Sequence, residues 1–195
     1  MIRYRPLGRR FFARHAVIVA RALLGCVLVH ETEGGRLVGR IVETEAYRGI
    51  RDPASHAHRR TRRSAIMFGR PGTAYVYFTY GMHYCLNVTT EPDGRPGAVL
   101  LRALEIVEHG QGVRRGATPS ARLAAGPALL TAAMAVGLHH NGADLTAPPL
   151  FIARGRRRRA RIVVGPRIGV TAAATRPWRF GLAGHPALSR PFRRL

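Results

Sequence analysis

Apolar positions along the chain set its predicted elements. Phe11, Phe12, Ala16, Val19, Ala20 and Leu23 recur at spacings that put them on or near one face, which predicts one amphipathic helix stopped at Gly25. Residues 26–30 and 37–47 then read as strands, with Gly34-Gly35 marking a hairpin between them. Residues 48–70 show no period. Residues 74–80 and 83–89 alternate as two strands around Gly81, residues 92–97 form a turn, and 98–105 make another strand. A second helix is predicted over 127–136, with Pro127 in its first turn and Gly137 ending it. From Leu150 onward, short strand-like pieces alternate with Gly, Pro and Arg clusters. Hairpins outnumber strand–helix–strand units, and neither a long repeat nor a linker divides the chain. The expected class is α+β: one domain over residues 1–195, mainly an antiparallel curved sheet with flanking helices.

Composition changes the picture in two ways. Hydrophobic residues make up 46% of the chain, enough for a packed core, so a net charge of +22 does not imply disorder. All 32 basic residues are arginine, against 10 acidic ones. GC-rich coding accounts for arginine replacing lysine but not for the excess of base over acid. That excess makes nucleic acid the leading partner and an anionic membrane surface the second. Without lysine, neither a lysine Schiff-base enzyme nor a P-loop can be written on this chain. Cys26 and Cys85 each lie inside an apolar run, which reads as two buried thiols in a reducing compartment. No CxxC or HExxH occurs, so no metal and no cofactor are expected. Arg9-Arg10-Phe11-Phe12 resembles the start of a twin-arginine signal, but Arg14, His15 and Arg21 break the apolar stretch that should follow. No run approaches the ~18 apolar residues of a membrane span. A soluble, cytoplasmic protein is expected.

Candidate chemistry begins with the carboxylates. Glu31, Glu33, Asp93 and Asp144 sit beside glycine-rich turns, Glu91 shares a turn with Pro92, and Glu108 lies in a loop approach; all six read as solvated turn residues. Glu43 and Glu45 differ, because alternation puts them on one face at the end of an apolar strand, roughly 7 Å apart. Two readings stand open there: an acid/base pair of the kind used on glycosidic bonds, or exposed strand-end charges offsetting nearby arginines. The residues themselves do not say which carboxylate would act. Tyr75 and Tyr77 share a strand face, and Tyr80 falls at the apparent hairpin tip. Such tyrosines either pack the core or, between basic segments, stack on bases and wedge between base steps. The stretch 48–70 carries seven arginines against the single acid Asp52. The run 154–161 carries six more, as a solvated loop or a phosphate contact.

Taken together and in order, Glu43-Thr-Glu-Ala-Tyr47, Asp52-Pro-Ala-Ser-His56, Tyr75-Val-Tyr77, Tyr80-Gly-Met82, Leu100-Leu-Arg-Ala-Leu-Glu105, Gly126-Pro127, Asn141-Gly-Ala-Asp-Leu145, Pro166-Arg-Ile-Gly-Val170 and Pro177-Trp-Arg-Phe180 resemble the alkyladenine (3-methyladenine) DNA glycosylase family. The set covers essentially the whole chain. The resemblance implies a monofunctional enzyme of base excision repair that inserts a protruding hairpin into duplex DNA and flips a damaged purine into a pocket. It would then hydrolyse the N-glycosidic bond. It makes Glu45 the base that activates water and Glu43 a supporting residue. Tyr47, His56 and Tyr77 become the pocket walls, Asn87 the obstacle to the amino group of normal guanine, and Tyr80 the side chain that fills the duplex gap. Arg102 is placed near the water and the phosphate of the flipped nucleotide. The implied partner is double-stranded DNA with damaged purines, bound by a monomer without a cofactor, near the nucleoid if the source is bacterial.

Three positions depart from the family pattern. Leu129 stands where a lysine is common, His83 where an aromatic is more usual, and the arginine run at 154–161 is richer, which suggests that it offsets the lost lysine contact. The competing function is a non-catalytic nucleic-acid-binding protein on the same fold. It has no use for a carboxylate in a polyanion site, so the co-occurrence of Glu45 with Tyr47, His56, Tyr77, Tyr80 and Arg102 favours the enzyme. A membrane-surface protein would need a basic amphipathic helix, which the chain lacks.

Overall fold

The computed structural model describes residues 2–79, 81–109, 122–155 and 160–192. Two short helices, α1 (Arg9–Phe12) and α2 (Ala16–Leu23), precede the hairpin of strands β1 (Val27–Thr32) and β2 (Gly35–Tyr47). Three short 3-10 turns, at Gly49–Arg51, His56–His58 and Ala65–Phe68, give the next stretch its shape. Strands β3 (Ala74–Thr79), β4 (His83–Thr89) and β5 (Ala98–Glu108) follow, then α3 (Pro127–Ala133). Strands β6 (Leu150–Ala153), β7 (Ile162–Gly165) and β8 (Arg179–Leu182) complete one antiparallel sheet in the order β3-β4-β5-β2-β1-β6, with β8 paired to β2 and β7. The expected α+β class is what the chain forms.

Strand β2 organises the sheet. One edge pairs with β5 from Val38 to Tyr47; the other pairs with β1 as far as Arg40 and with β8 from Glu43 to Glu45. Three irregularities interrupt the β2–β5 ladder, and the last two compensate, leaving Val42 unpaired on one strand and Arg102 on the other. Such bulges bend a strand and re-aim its side chains, and these last two lie where the carboxylates cluster. Thr44 donates its hydroxyl to the Ala20 carbonyl of α2, and Ala46 joins the main core, so the even positions near the end of β2 face the helix. Glu43, Glu45 and Tyr47 face the other way.

The first predicted helix is broken in two, and the reason lies far along the chain. Ala16, Val19, Ala20 and Leu23 are fully buried at the i, i+3, i+4, i+7 spacing expected, so the apolar face was read correctly. The Glu91 carboxylate, however, accepts from the Ala16 N–H at 2.9 Å, and the His15 ring accepts from Val17 N–H at 3.3 Å. These acceptors start a new helix at Ala16, and Arg14 folds back to donate to the Phe11 carbonyl. Glu91 is therefore not a solvated turn residue. Glu108 is not either: it lies in β5 and takes a two-pronged contact from Arg36. Asp144 is half exposed but accepts from Arg9 and from Thr146. Helix α3 ends at Ala133, earlier than expected, because Ala135 takes a left-handed conformation with φ of 51°.

Candidate active site

Registered partners on neighbouring strands share a sheet face, and here they draw one line across five strands. Tyr75 on β3 faces Asn87 on β4, Asn87 faces Leu100 on β5, Leu100 faces Glu45 on β2, and Glu45 faces Arg179 on β8. Tyr77 and Cys85 form the adjacent pair. Tyr75, Asn87 and Leu100 of this row line a cleft of about 650 Å³ together with Tyr47, His56, Tyr77, Ile168, Gly169, Pro127 and Ala128, while Glu45 is buried behind that lining. The volume lies in the range that takes a small organic ligand.

Both carboxylates at the deep end are fully buried, so the exposed-charge reading of Glu43 and Glu45 is excluded. The Glu45 carboxylate accepts from the Ile168 N–H at 2.8 Å, the Tyr47 hydroxyl at 2.9 Å and Arg102 Nη1 at 3.2 Å. A carboxylate offers about four lone-pair sites. Oε1 takes two of these donors and Oε2 only the Tyr47 hydroxyl, so one acceptor direction is left on Oε2, beside a residue that lines the cleft. On Glu43, Oε1 accepts from Arg179 Nε at 2.6 Å and from the Ser189 hydroxyl at 2.8 Å, with Arg102 Nε 3.4 Å away, and Oε2 accepts from the Ser189 N–H at 2.6 Å. Two carboxylates and two guanidiniums thus balance in a buried cluster, and Glu45 is the one hydrogen-bonded to residues that line the cleft, Tyr47, Arg102 and Ile168. The symmetry left open by the alternation is broken by tertiary partners.

The walls are held as firmly. His56 begins a 3-10 turn capped by Ser55; its Nδ1 lies 2.8 Å from the Tyr75 hydroxyl and its ring centroid 4.7 Å from that of Tyr77. Burial, helped by the Arg63 guanidinium, holds His56 below the ordinary histidine value, so the ring is neutral at neutral pH. Burial pushes the Tyr47 and Tyr77 hydroxyls well above the ordinary tyrosine value, so both keep the proton they can donate. Asn87 is buried, and its amide donates to the Tyr75 carbonyl at 3.1 Å. Behind Tyr47 stands a fully buried pair: Arg167 grips Asp52 with bonds of 2.6 and 2.9 Å and lies 4.7 Å from the Tyr47 ring centroid. Burial alone would raise the Asp52 carboxyl, but Arg167 and the Arg48 and Ala54 N–H groups outweigh it and hold it below the ordinary aspartate value. Gly49 next to this pair has φ of 63°, and a Cβ there would stand 2.1 Å from the Pro96 carbonyl oxygen. The close approach and the positive φ both require glycine.

Of the expected site residues, Arg102, Tyr47, His56, Tyr77 and Asn87 line this cleft, and Glu45 is buried behind it, bonded to Tyr47 and Arg102. Tyr80 and Arg156 to Arg159 lie outside the described residues. His83 lines the cleft and is exposed, and Leu129 lies 50% exposed on α3. Sequence reasoning missed Tyr75, Arg63, Ile168, Ser189 and the Asp52–Arg167 pair. For Tyr75 the signal was present, since it alternates with Tyr77; the Ile168 backbone N–H left no sequence trace. Among the described residues, no group of three His, Cys, Asp or Glu side chains is placed to hold a metal ion, and no helix is long and apolar enough to cross a membrane.

The sequence pattern of the methylpurine-DNA glycosylases matches residues 10–186. Full-length similarity extends to bacterial proteins provisionally named 3-methyladenine DNA glycosylase. One from Carboxydothermus hydrogenoformans is 49% identical over 189 residues, covering 94% of this chain and 98% of its own. One from Rhodopseudomonas palustris is 48% identical over 192 residues, covering 96% and 92%. One from Anaeromyxobacter dehalogenans is 50% identical over 190 residues, covering 95% and 87%. A match of this length and identity places the protein in the methylpurine-DNA glycosylase family, hydrolases of N-glycosyl bonds in DNA repair.

Proposed function

We propose that the protein extrudes an alkylated purine from duplex DNA into the aromatic cleft and hydrolyses its N-glycosidic bond with a water activated by Glu45. The observation that carries this reading is the Glu45 carboxylate, fixed by Ile168, Tyr47 and Arg102 with one acceptor direction left beside the cleft. Water donates a proton to Glu45 while its oxygen bonds to the sugar C1′; the C1′–N bond breaks and its electron pair neutralises the cationic base. A positively charged alkylpurine is a good leaving group, so one general base suffices, contributing on the order of 10²–10⁴-fold.

Extrusion costs a few kcal/mol, least for a damaged or poorly paired base. Stacking on Tyr47, His56 and Tyr77 returns about 1–3 kcal/mol per base. Asn87 limits the room for the amino group of normal guanine, and Tyr80, filling the vacated space in the duplex, opposes re-closure. The Arg102 guanidinium, 3.2 Å from Glu45, both positions that carboxylate and offers its positive charge to the nucleotide phosphate. With no lysine in its 195 residues, the chain has no side-chain amine for a Schiff base, so the product is an abasic site in an uncut strand.

The test is incubation with duplexes carrying 3-methyladenine, 1,N6-ethenoadenine or hypoxanthine, followed by alkali. Breaks only after alkali are expected for at least the cationic lesion. Breaks without alkali, or none on any of the three, contradict the proposal. Replacing Tyr80 by Ala is expected to weaken excision, and unchanged single-turnover rates and lesion affinity would exclude its wedge role.

A further inference from the structure

The only tryptophan of the chain, Trp178, is surrounded by arginines. The guanidinium carbons of Arg176, Arg167 and Arg48 lie 4.6, 5.1 and 5.6 Å from its ring centroid. Arg167 is neutralised by Asp52, whose oxygens are already taken by Arg167 and by the Arg48 and Ala54 N–H groups. Arg48, Arg176 and the exposed Arg51, whose carbonyl accepts from Arg176 at 3.4 Å, have no carboxylate partner among the described residues. Like charges brought this close repel, and the ring faces relieve only part of that cost. The cluster is also well anchored, since the Ala46 N–H donates to the Trp178 carbonyl at 2.9 Å and ties it to β2. It adjoins the cleft directly: Arg48 follows Tyr47 in the chain, and Arg167 packs on Tyr47 and precedes Ile168.

We propose that Arg48 and Arg176, set against Trp178, together with the exposed Arg51 whose carbonyl Arg176 bonds, form a phosphate-binding ledge at the Tyr47 side of the cleft that grips the DNA backbone beside the extruded nucleotide. The ledge rests on the reading of duplex DNA as substrate, but it needs no lesion and no catalysis. A guanidinium presents two parallel donors to phosphate oxygens, and arginines held in place by a ring lose less freedom on binding than free ones.

The experiment titrates the full chain with an undamaged duplex and follows Trp178 emission and the dependence of log Kd on log salt. Binding is expected to change the emission, because the guanidiniums over the ring engage phosphate. The double variant Arg48→Gln/Arg176→Gln is expected to lower the magnitude of the salt slope by about 2, roughly one per lost phosphate contact. Arg3→Gln/Arg5→Gln removes the same charge near the start of β2, from exposed positions beside Arg36, and is expected to leave the slope unchanged. The proposal is overturned if both double variants shift the slope equally, if the ledge variant leaves it unchanged, or if duplex leaves the emission unchanged. It is also overturned if inorganic phosphate at the same phosphate concentration reproduces the emission change, since the site would then bind anions without the duplex. Failure of excision with the slope effect intact would instead contradict the catalytic reading alone.

Discussion

The two ends of strand β2 put the same charged groups to different uses. At its start, Arg36 and Arg40 reach across to Glu108 and Glu105 of β5, in ion pairs of 2.9 and 2.8 Å whose carboxylates are 36% exposed. At its end, Glu43 and Glu45 are fully buried between Arg102 and Arg179. The exposed pairs exchange water contacts for modest Coulomb energy in a high dielectric and are screened by salt. The buried cluster bears a desolvation cost that its own attraction does little more than repay, so its presence is weak support for stability. What it supplies is position: Glu43 is fixed to Arg179 and Ser189, and Glu45 is tied through Tyr47, Arg102 and Ile168 to the lining of the cleft. One strand thus carries solubility at one end and a preorganised site at the other.

The comparison breaks most visibly at Glu43. Glu43→Ala leaves two buried guanidiniums sharing one carboxylate, and the expected loss is about 3–5 kcal/mol in denaturant unfolding. A loss under 1 kcal/mol would mean that the cluster is no better coupled than the exposed pairs. Asp52→Asn, behind the Tyr47 wall, is expected to cost about 3 kcal/mol at neutral pH. Because the fold holds the Asp52 carboxyl below its ordinary value, its contribution is present above that value and is lost as pH falls through it toward the lower folded value. The gap between wild type and Asp52→Asn should therefore narrow below about pH 4 and not above it. A gap constant with pH would remove Asp52 ionisation from the account. Tyr77→Ala is expected to weaken binding of lesion-bearing duplex by about 1–3 kcal/mol in single-turnover titrations, with binding of undamaged duplex unaltered. Equal losses on both duplexes would mean that Tyr77 supports the fold and not the base. The smallest effect belongs to the start of the strand: a double-mutant cycle on Arg36 and Glu108 should give about 0.2–1 kcal/mol and shrink with added salt.

Much of this was legible in the order of the residues. Alternation located the strands and placed Glu43 and Glu45 on one face. The family resemblance named Tyr47, His56, Tyr77, Asn87 and Arg102, which the fold brings to one cleft, and Glu45, which is bonded to that lining from behind. The missing parts share a cause, which is sequence distance. The partners that distinguish Glu43 from Glu45 are Ser189 and the Ile168 N–H, more than a hundred residues away, and a backbone donor has no residue type to signal it. Helix α2 starts at Ala16 because Glu91 caps it from across the fold, although the local period ran straight through. Asp52 stood out only as a lone acid among arginines until Arg167 was found against it.

The most direct test of the central claim is single-turnover excision of 3-methyladenine by Glu45→Gln, measured alongside its affinity for the same duplex. Glutamine keeps the side-chain shape. With its oxygen in the Oε1 position it still accepts from the Ile168 N–H and Arg102, and its NH2 can donate to the Tyr47 hydroxyl oxygen, so the anionic base is removed while the partners stay bonded. The expected result is a fall in excision of about 10²–10⁴-fold with duplex affinity within a factor of a few of wild type. Excision at the wild-type rate in that variant would contradict the assignment of Glu45 as the base that activates water.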